Sequence, residues 1–104
     1  MKLVEITPRE KSPIYSALVK REAAIRKNGR GTFSRKGPVR AGAATWRHKK
    51  FKGSVNLKRE GAELLSAKIR SGNSEDEFGL LKAFLGFVDR NIRDRLATIT
   101  IHYH

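Results

Sequence analysis

Apolar positions recur along the chain with two periods, and the switches between them predict the elements. Leu3, Val4 and Ile6 make Lys2 to Ile6 a short strand, which Pro8 ends. Ser12-Pro13 reads as a helix start, with Ser capping free N–H groups and Pro at the first helical position. That helix runs to about Lys27. Ile14, Leu18 and Ile25 share one face, Tyr15, Val19 and Ala24 lie beside it, and Asn28-Gly29 is the stop.

Residues 43 to 70 alternate with period two and read as a β-meander. Ala44 to Lys50 is its first strand, anchored by Trp46, and Phe51-Lys52-Gly53 is a turn or bulge. Ser54 to Arg59 is the second, with Val55 and Leu57 against Asn56 and Lys58. After a turn at Glu60-Gly61-Ala62, Glu63 to Arg70 is the third, with Leu65, Ala67 and Ile69 against Ser66, Lys68 and Arg70.

Ser74-Glu75-Asp76-Glu77 has the form of a capping box, and its acids suit the positive end of a helix dipole. The helix that follows carries Phe78, Leu81, Leu85, Val88 and Ile92 on one stripe, widened by Phe84 and Phe87. Leu96 to Tyr103 is the last strand, with Ala97, Ile99, Ile101 and Tyr103 on one face and Thr98, Thr100 and His102 on the other.

The expected order is β-α-β-β-β-α-β, an α+β two-layer sandwich with two helices on one face of a mainly antiparallel sheet. Only one layer of helix is available, so the other sheet face should be wet and rich in Lys and Arg. At 104 residues the chain is one domain, 1–104. Between its first helix and the meander, Gly29 to Gly42 holds four glycines and one proline among Arg30, Arg35, Lys36 and Arg40. Such composition predicts a flexible basic loop at about 28–43, with room for a short strand around Thr32-Phe33.

Charge changes the picture most. The formal net charge is +13, and twelve Lys or Arg fall between Arg26 and Arg59, where no acid appears. A field of that sign and density attracts polyanions, and nucleic acid is the commonest polyanion in a cell. The candidate nucleic-acid-binding residues are Arg30, Arg35, Lys36, Arg40, Arg47, Lys49, Lys50 and Lys52, with RNA or single strands favoured. Phe33, Trp46, His48 and Phe51 are interleaved with them, and aromatics among cations can stack on bases. The rival reading for Trp46 and Phe51 is simple core.

Known modules fit poorly. Lys52-Gly53 is followed by Ser54, which breaks the aromatic pattern of an RRM. The α-β-β-β-α portion has the element order of a double-stranded RNA-binding domain, but Glu75, Asp76 and Glu77 stand where such domains carry basic residues.

Catalytic chemistry has few candidates. The chain has no cysteine, which removes disulfides and thiolate metal sites. His102 and His104 share a strand face at a terminus, which is weak support for a metal, and no cofactor is expected. His48 sits among Arg47, Lys49 and Lys50, which disfavour its protonated form. A neutral His there makes a small ribonuclease-like enzyme one alternative. A homodimeric interaction module is the other, because the second helix is apolar over more than half its circumference and Gly79 and Gly86 line one side. No apolar stretch reaches the roughly 20 residues of a membrane span. The N-terminus lacks a signal peptide's apolar run, so a cytoplasmic protein is expected.

Overall fold

The structure is a computed structural model; it describes residues 1–61 and 64–103, and for Val39 only the backbone. The expected turn at Ala62, the expected strand start at Glu63, and His104 lie outside the described residues. The elements are β1 (Lys2–Pro8), α1 (Ile14–Lys27), β2 (Phe33–Arg40), β3 (Ala43–His48), β4 (Ser54–Glu60), β5 (Leu64–Arg70), α2 (Ser74–Ile92), a 3-10 turn (Arg93–Arg95) and β6 (Leu96–Tyr103). The six strands form one sheet in the order β2-β3-β4-β5-β1-β6, and every neighbouring pair is antiparallel. Both helices pack on one face, so the α+β two-layer architecture holds.

The sheet has one strand more than the sequence pattern implied. The segment expected as a flexible loop contains β2, which pairs Phe33 with His48, Ser34 with Arg47, Arg35 with Trp46 and Lys36 with Thr45. Local composition argued against a strand there, but the tertiary partner overrides it. Phe33 is buried edge-on against Phe87 and tilted against Trp46, and β3 supplies the ladder. Gly37 and Pro38 sit where that ladder becomes irregular. Proline's missing N–H is tolerated because β2 is an edge strand, and Gly37 takes φ 74°. Four strands therefore separate the helices, and the element order of a double-stranded RNA-binding domain is lost.

Alternation in each strand sends one set of side chains to the helices. Val4, Ile6, Val55, Leu57, Leu65, Ala67 and Ile69 are buried, together with Trp46 from β3. Against them lie Ile14, Tyr15 and Leu18 of α1 and Leu80, Leu81, Phe84, Phe87, Val88 and Ile92 of α2. Glu22 also lies on the buried side of α1, only 2 % exposed, while Ile25 is half-buried and Ala24 exposed.

Both helix starts differ from expectation by one position. Pro13 occupies the N-cap of α1, and the Ser12 side chain does not cap. Asn73 caps α2: its Oδ1 accepts from the backbone N–H groups of Glu75 and Asp76. Ser74 is then the first helical residue, and Glu77 is drawn instead to the Met1 ammonium and Lys2 Nζ.

Candidate nucleic-acid interface

The strand residues that turn away from the helices form the open face, and the register places them in rows. Lys36 of β2 stands opposite Thr45, Thr45 opposite Asn56, and Asn56 opposite Lys68. Neighbouring strands lie about 4.8 Å apart, so Lys36 and Lys68 flank this row at a separation of about 14 Å. Its floor is low and polar. Thr45 Oγ1 donates to Asn56 Oδ1 at 2.9 Å, and Asn56 Nδ2 donates to Ser54 Oγ at 3.2 Å. The result is a shallow depression of about 280 Å³, bordered by Ala43, Thr45, Asn56, Lys58, Glu60, Ser66 and Lys68.

One row over, Ser34 opposes Arg47 and Ser54 opposes Arg70. Here the face deepens into a cleft of about 560 Å³ between the β3–β4 and β5–α2 connections. Arg47, Lys49, Lys52 and Arg70 line it together with Ser54 and Ser71, and no carboxylate does. The β3–β4 connection is held close to β5 at Gly53, which has φ 122° and whose added Cβ would meet the Arg70 carbonyl oxygen at 2.1 Å.

Among the described residues, Lys36, Arg47, Lys68 and Arg70 pair with no acid; Lys58 lies 3.8 Å from Glu60. Two acids share the open face, Glu60 at the depression, where it accepts from Ser66 Oγ, and Glu5 on β1. Among the described residues the helical segments hold eight basic and six acidic residues, whereas strands and connections hold fifteen basic and three acidic. The excess of positive charge therefore lies on the strands and their connections, outside the helices.

The eight residues singled out by sequence do not form one site. Arg47, Lys49 and Lys52 meet in the cleft, and Lys36 lies on the same open face. Arg35 projects to the helix side, because it pairs with the buried Trp46, and its backbone N–H is directed at Glu22. Arg40 lies at the far end of the sheet in a separate groove with Tyr15, Lys20 and Arg59, and its carbonyl accepts from the Tyr15 hydroxyl at 3.3 Å. Arg30 sits in the turn after α1, where its N–H closes the helix on the Ile25 carbonyl. Lys50 stands 5.6 Å from the Phe51 ring, outside the cleft lining. Lys68 and Arg70 were missing from the sequence-derived set. The alternation of β5 was the signal for them, but their join to Arg47 depends on the β3–β4–β5 register.

The interleaved aromatics face the other way. Trp46 is fully buried and Phe33 nearly so, and Phe51 packs on α2 at Gly79. Trp46 and Phe33 are core residues and cannot stack on bases, whereas Phe51 is half-buried and reaches the cleft lining. His48 is clamped at 4.9 Å from both the Phe33 and Phe51 rings. Its Nδ1 accepts from the Lys50 backbone N–H at 3.0 Å. Burial first, and the Lys50 ammonium second, hold its pKa below the ordinary 6.5. Both effects favour the neutral imidazole, and an accepting Nδ1 leaves the ring proton to Nε2. No group of three metal-ligating side chains occurs among the described residues. At the other end of the sheet His102 Nε2 meets Glu5.

Gly79, which with Gly86 suggested a helix–helix seam, is taken up within the chain. A Cβ there would lie 2.4 to 2.7 Å from the Phe51 ring. Among the described residues no helix is long and apolar enough to cross a membrane. No family model matches the sequence, and no curated protein or solved structure matches it either.

Proposed function

We propose that this chain binds nucleic acid through its phosphate backbone, docking the polyanion on the open sheet face and in the adjoining cleft. The observation that carries the reading is the set Lys36, Arg47, Lys68 and Arg70 on one face, which pair with no acid among the described residues, with Lys49 and Lys52 at the cleft. Like charges held together without counter-charges repel, and a polyanion relieves that repulsion while releasing its own condensed ions. The open face offers hydroxyls, amides and cations with the Glu60 carboxylate at its depression, and the rings at the cleft, His48 and Phe51, are half-buried against each other. Contacts of this kind position a backbone rather than read bases, so binding should show little sequence preference.

The test is fluorescence anisotropy with labelled single- and double-stranded RNA and DNA across a salt series. Two variants carry equal charge loss in different places. One replaces Lys36, Arg47, Lys68 and Arg70 with Gln; the other replaces Lys11, Lys27, Lys82 and Arg90, which are exposed outside this face. Each removed phosphate contact lowers the log–log salt slope by about 0.9 on duplex DNA and about 0.7 on single strands. The face variant should therefore lose about 3.6 or 2.8 of slope, and the control little. Equal losses in both variants, or no binding near physiological salt, refute the proposal. Shortening of the RNA that disappears in His48→Ala would point instead to ribonuclease activity.

A further inference from the structure

The two edges of the sheet are unlike. An edge strand presents unpaired N–H and C=O groups, and monomeric proteins blunt such edges with charges, proline and bulges. The β2 edge has all three: Arg35, Lys36 and Arg40, Pro38, and an irregular ladder between Lys36 and Arg40. The β6 edge has none along most of its length. Its sequence, Leu-Ala-Thr-Ile-Thr-Ile-His-Tyr, contains no Lys, Arg, Asp, Glu, Pro or Gly, and it pairs residue for residue with β1 from Thr98 to Tyr103. Among the described residues its outer edge has no partner strand.

Exposed apolar surface gathers on the same border. Among the described residues the large hydrophobic side chains left exposed are Met1, Phe78, Ile99 and Tyr103. Tyr103 stands opposite Lys2, whose ammonium lies 5.2 Å from its ring. Lys2 and the Met1 amino group both meet Glu77, which precedes Phe78 on α2. Ile99 lies along the same face of β6, opposite the buried Ile6.

Charge selects the occupant. Two copies of a chain with formal charge +13 repel each other wherever Lys and Arg face outward. An eight-residue strand without a charged Lys, Arg, Asp or Glu is the border along which they can approach. We infer that β6 pairs with the β6 of a second copy of this chain, antiparallel about a two-fold axis beside Thr100. That register sets Ile99 against the partner's Ile101 and Ala97 against the partner's Tyr103. It keeps like faces together, because opposed residues are then both odd-numbered or both even-numbered. The product is a continuous twelve-stranded sheet with four helices on one side. The open faces then join on the other side. This consequence uses the proposed nucleic-acid reading; the dimer itself does not.

Sedimentation equilibrium without nucleic acid tests the pairing. The expected result is a mass twice 11.7 kDa that strengthens with salt, as screening weakens repulsion between the copies. Nucleic-acid binding has the opposite salt dependence, so the two proposals fail separately. Ile99→Lys should leave a folded monomer with the parent's far-UV circular dichroism, since Ile99 is already 36 % exposed. The natural chain lacks cysteine, so Thr100→Cys should oxidise cleanly to a covalent dimer. Directly opposed antiparallel Cα atoms lie about 4.5 to 5.5 Å apart, within disulfide range. Lys36→Cys on the β2 edge should not cross-link. A monomer at every concentration and salt, a dimer indifferent to Ile99→Lys, or equal cross-linking of the two cysteine variants overturns the inference.

Discussion

Gly79→Ala and Gly86→Ala are the same substitution on the same helix, seven residues apart, and the packing gives them opposite signs. In a helix interior, alanine is favoured over glycine by about 1 kcal/mol, through lower backbone entropy in the unfolded chain. At Gly86 that gain is nearly free. The added Cβ meets only the Arg90 Nη1 at 3.1 Å, the end of an exposed and flexible side chain. At Gly79 the Cβ would lie 2.4, 2.6 and 2.7 Å from three carbons of the Phe51 ring. A ring cannot bend away as a chain end can. Relief requires Phe51 to leave α2, with loss of its packing and of its contact with His48. Overpacking of this kind costs about 1–3 kcal/mol, which equals or exceeds the propensity gain. The expected outcome is a Gly86→Ala protein stabilised by up to about 1 kcal/mol. Gly79→Ala should be less stable than the parent by up to about 2 kcal/mol. Urea unfolding followed by far-UV circular dichroism measures both. For a domain of this size 1 kcal/mol moves Tm by about 4–8 °C, so the difference between the variants is easily resolved. If both variants are stabilised, Phe51 does not occupy Gly79, and the placement of the β3–β4 connection against α2 is wrong.

Other outcomes follow from the caps and the titrating groups. Asn73→Ala should cost about 0.5–2 kcal/mol in urea unfolding and Ser74→Ala much less, reversing the expectation from the capping-box pattern. The His48 pKa is depressed in the fold, so the unfolded chain binds its proton more readily. Stability should fall as pH drops below the ordinary 6.5, and His48→Gln should flatten that part of the profile. Glu77 is held below the usual carboxylate value by its hydrogen bonds from Lys2 and the N-terminal amine, so its contribution is present above pH 4.5 and lost as pH falls further; Glu77→Gln removes that loss. Glu22 runs the other way. Burial raises its pKa against the pull of Arg26 and Arg35, so its ionisation costs stability as pH rises above 4.5, and a Glu22→Gln profile should lack that decline.

Much of the fold was legible because its signals are local. The alternation of Val55 and Leu57, then of Leu65, Ala67 and Ile69, marks β4 and β5, and each is buried on the predicted face. Of the stripe Phe78, Leu81, Leu85, Val88 and Ile92 that marks α2, with Phe84 and Phe87 beside it, Phe78 is exposed and Leu85 half-buried, and the rest are buried. The candidate site was legible only as a stretch of charge. Arg35 and Lys36 are adjacent and equally basic, yet one lies beside Glu22 and the other on the open face.

What the sequence determined by itself is the set of periodic elements, the single helical layer and the excess of Lys and Arg from Arg26 to Arg59. What the tertiary structure decided is which cations share a surface. A strand's alternation says that neighbours face opposite ways, but only its partner says which way the core lies. Phe33 docking on Phe87 and Trp46 turned a Gly- and Pro-rich segment into β2 and fixed Lys36 outward. The antiparallel ladder through β4 then carried Arg70 to the cleft it shares with Arg47, twenty-three residues earlier in the chain. Pairing and burial between distant segments set those positions, and local propensity contains no term for them.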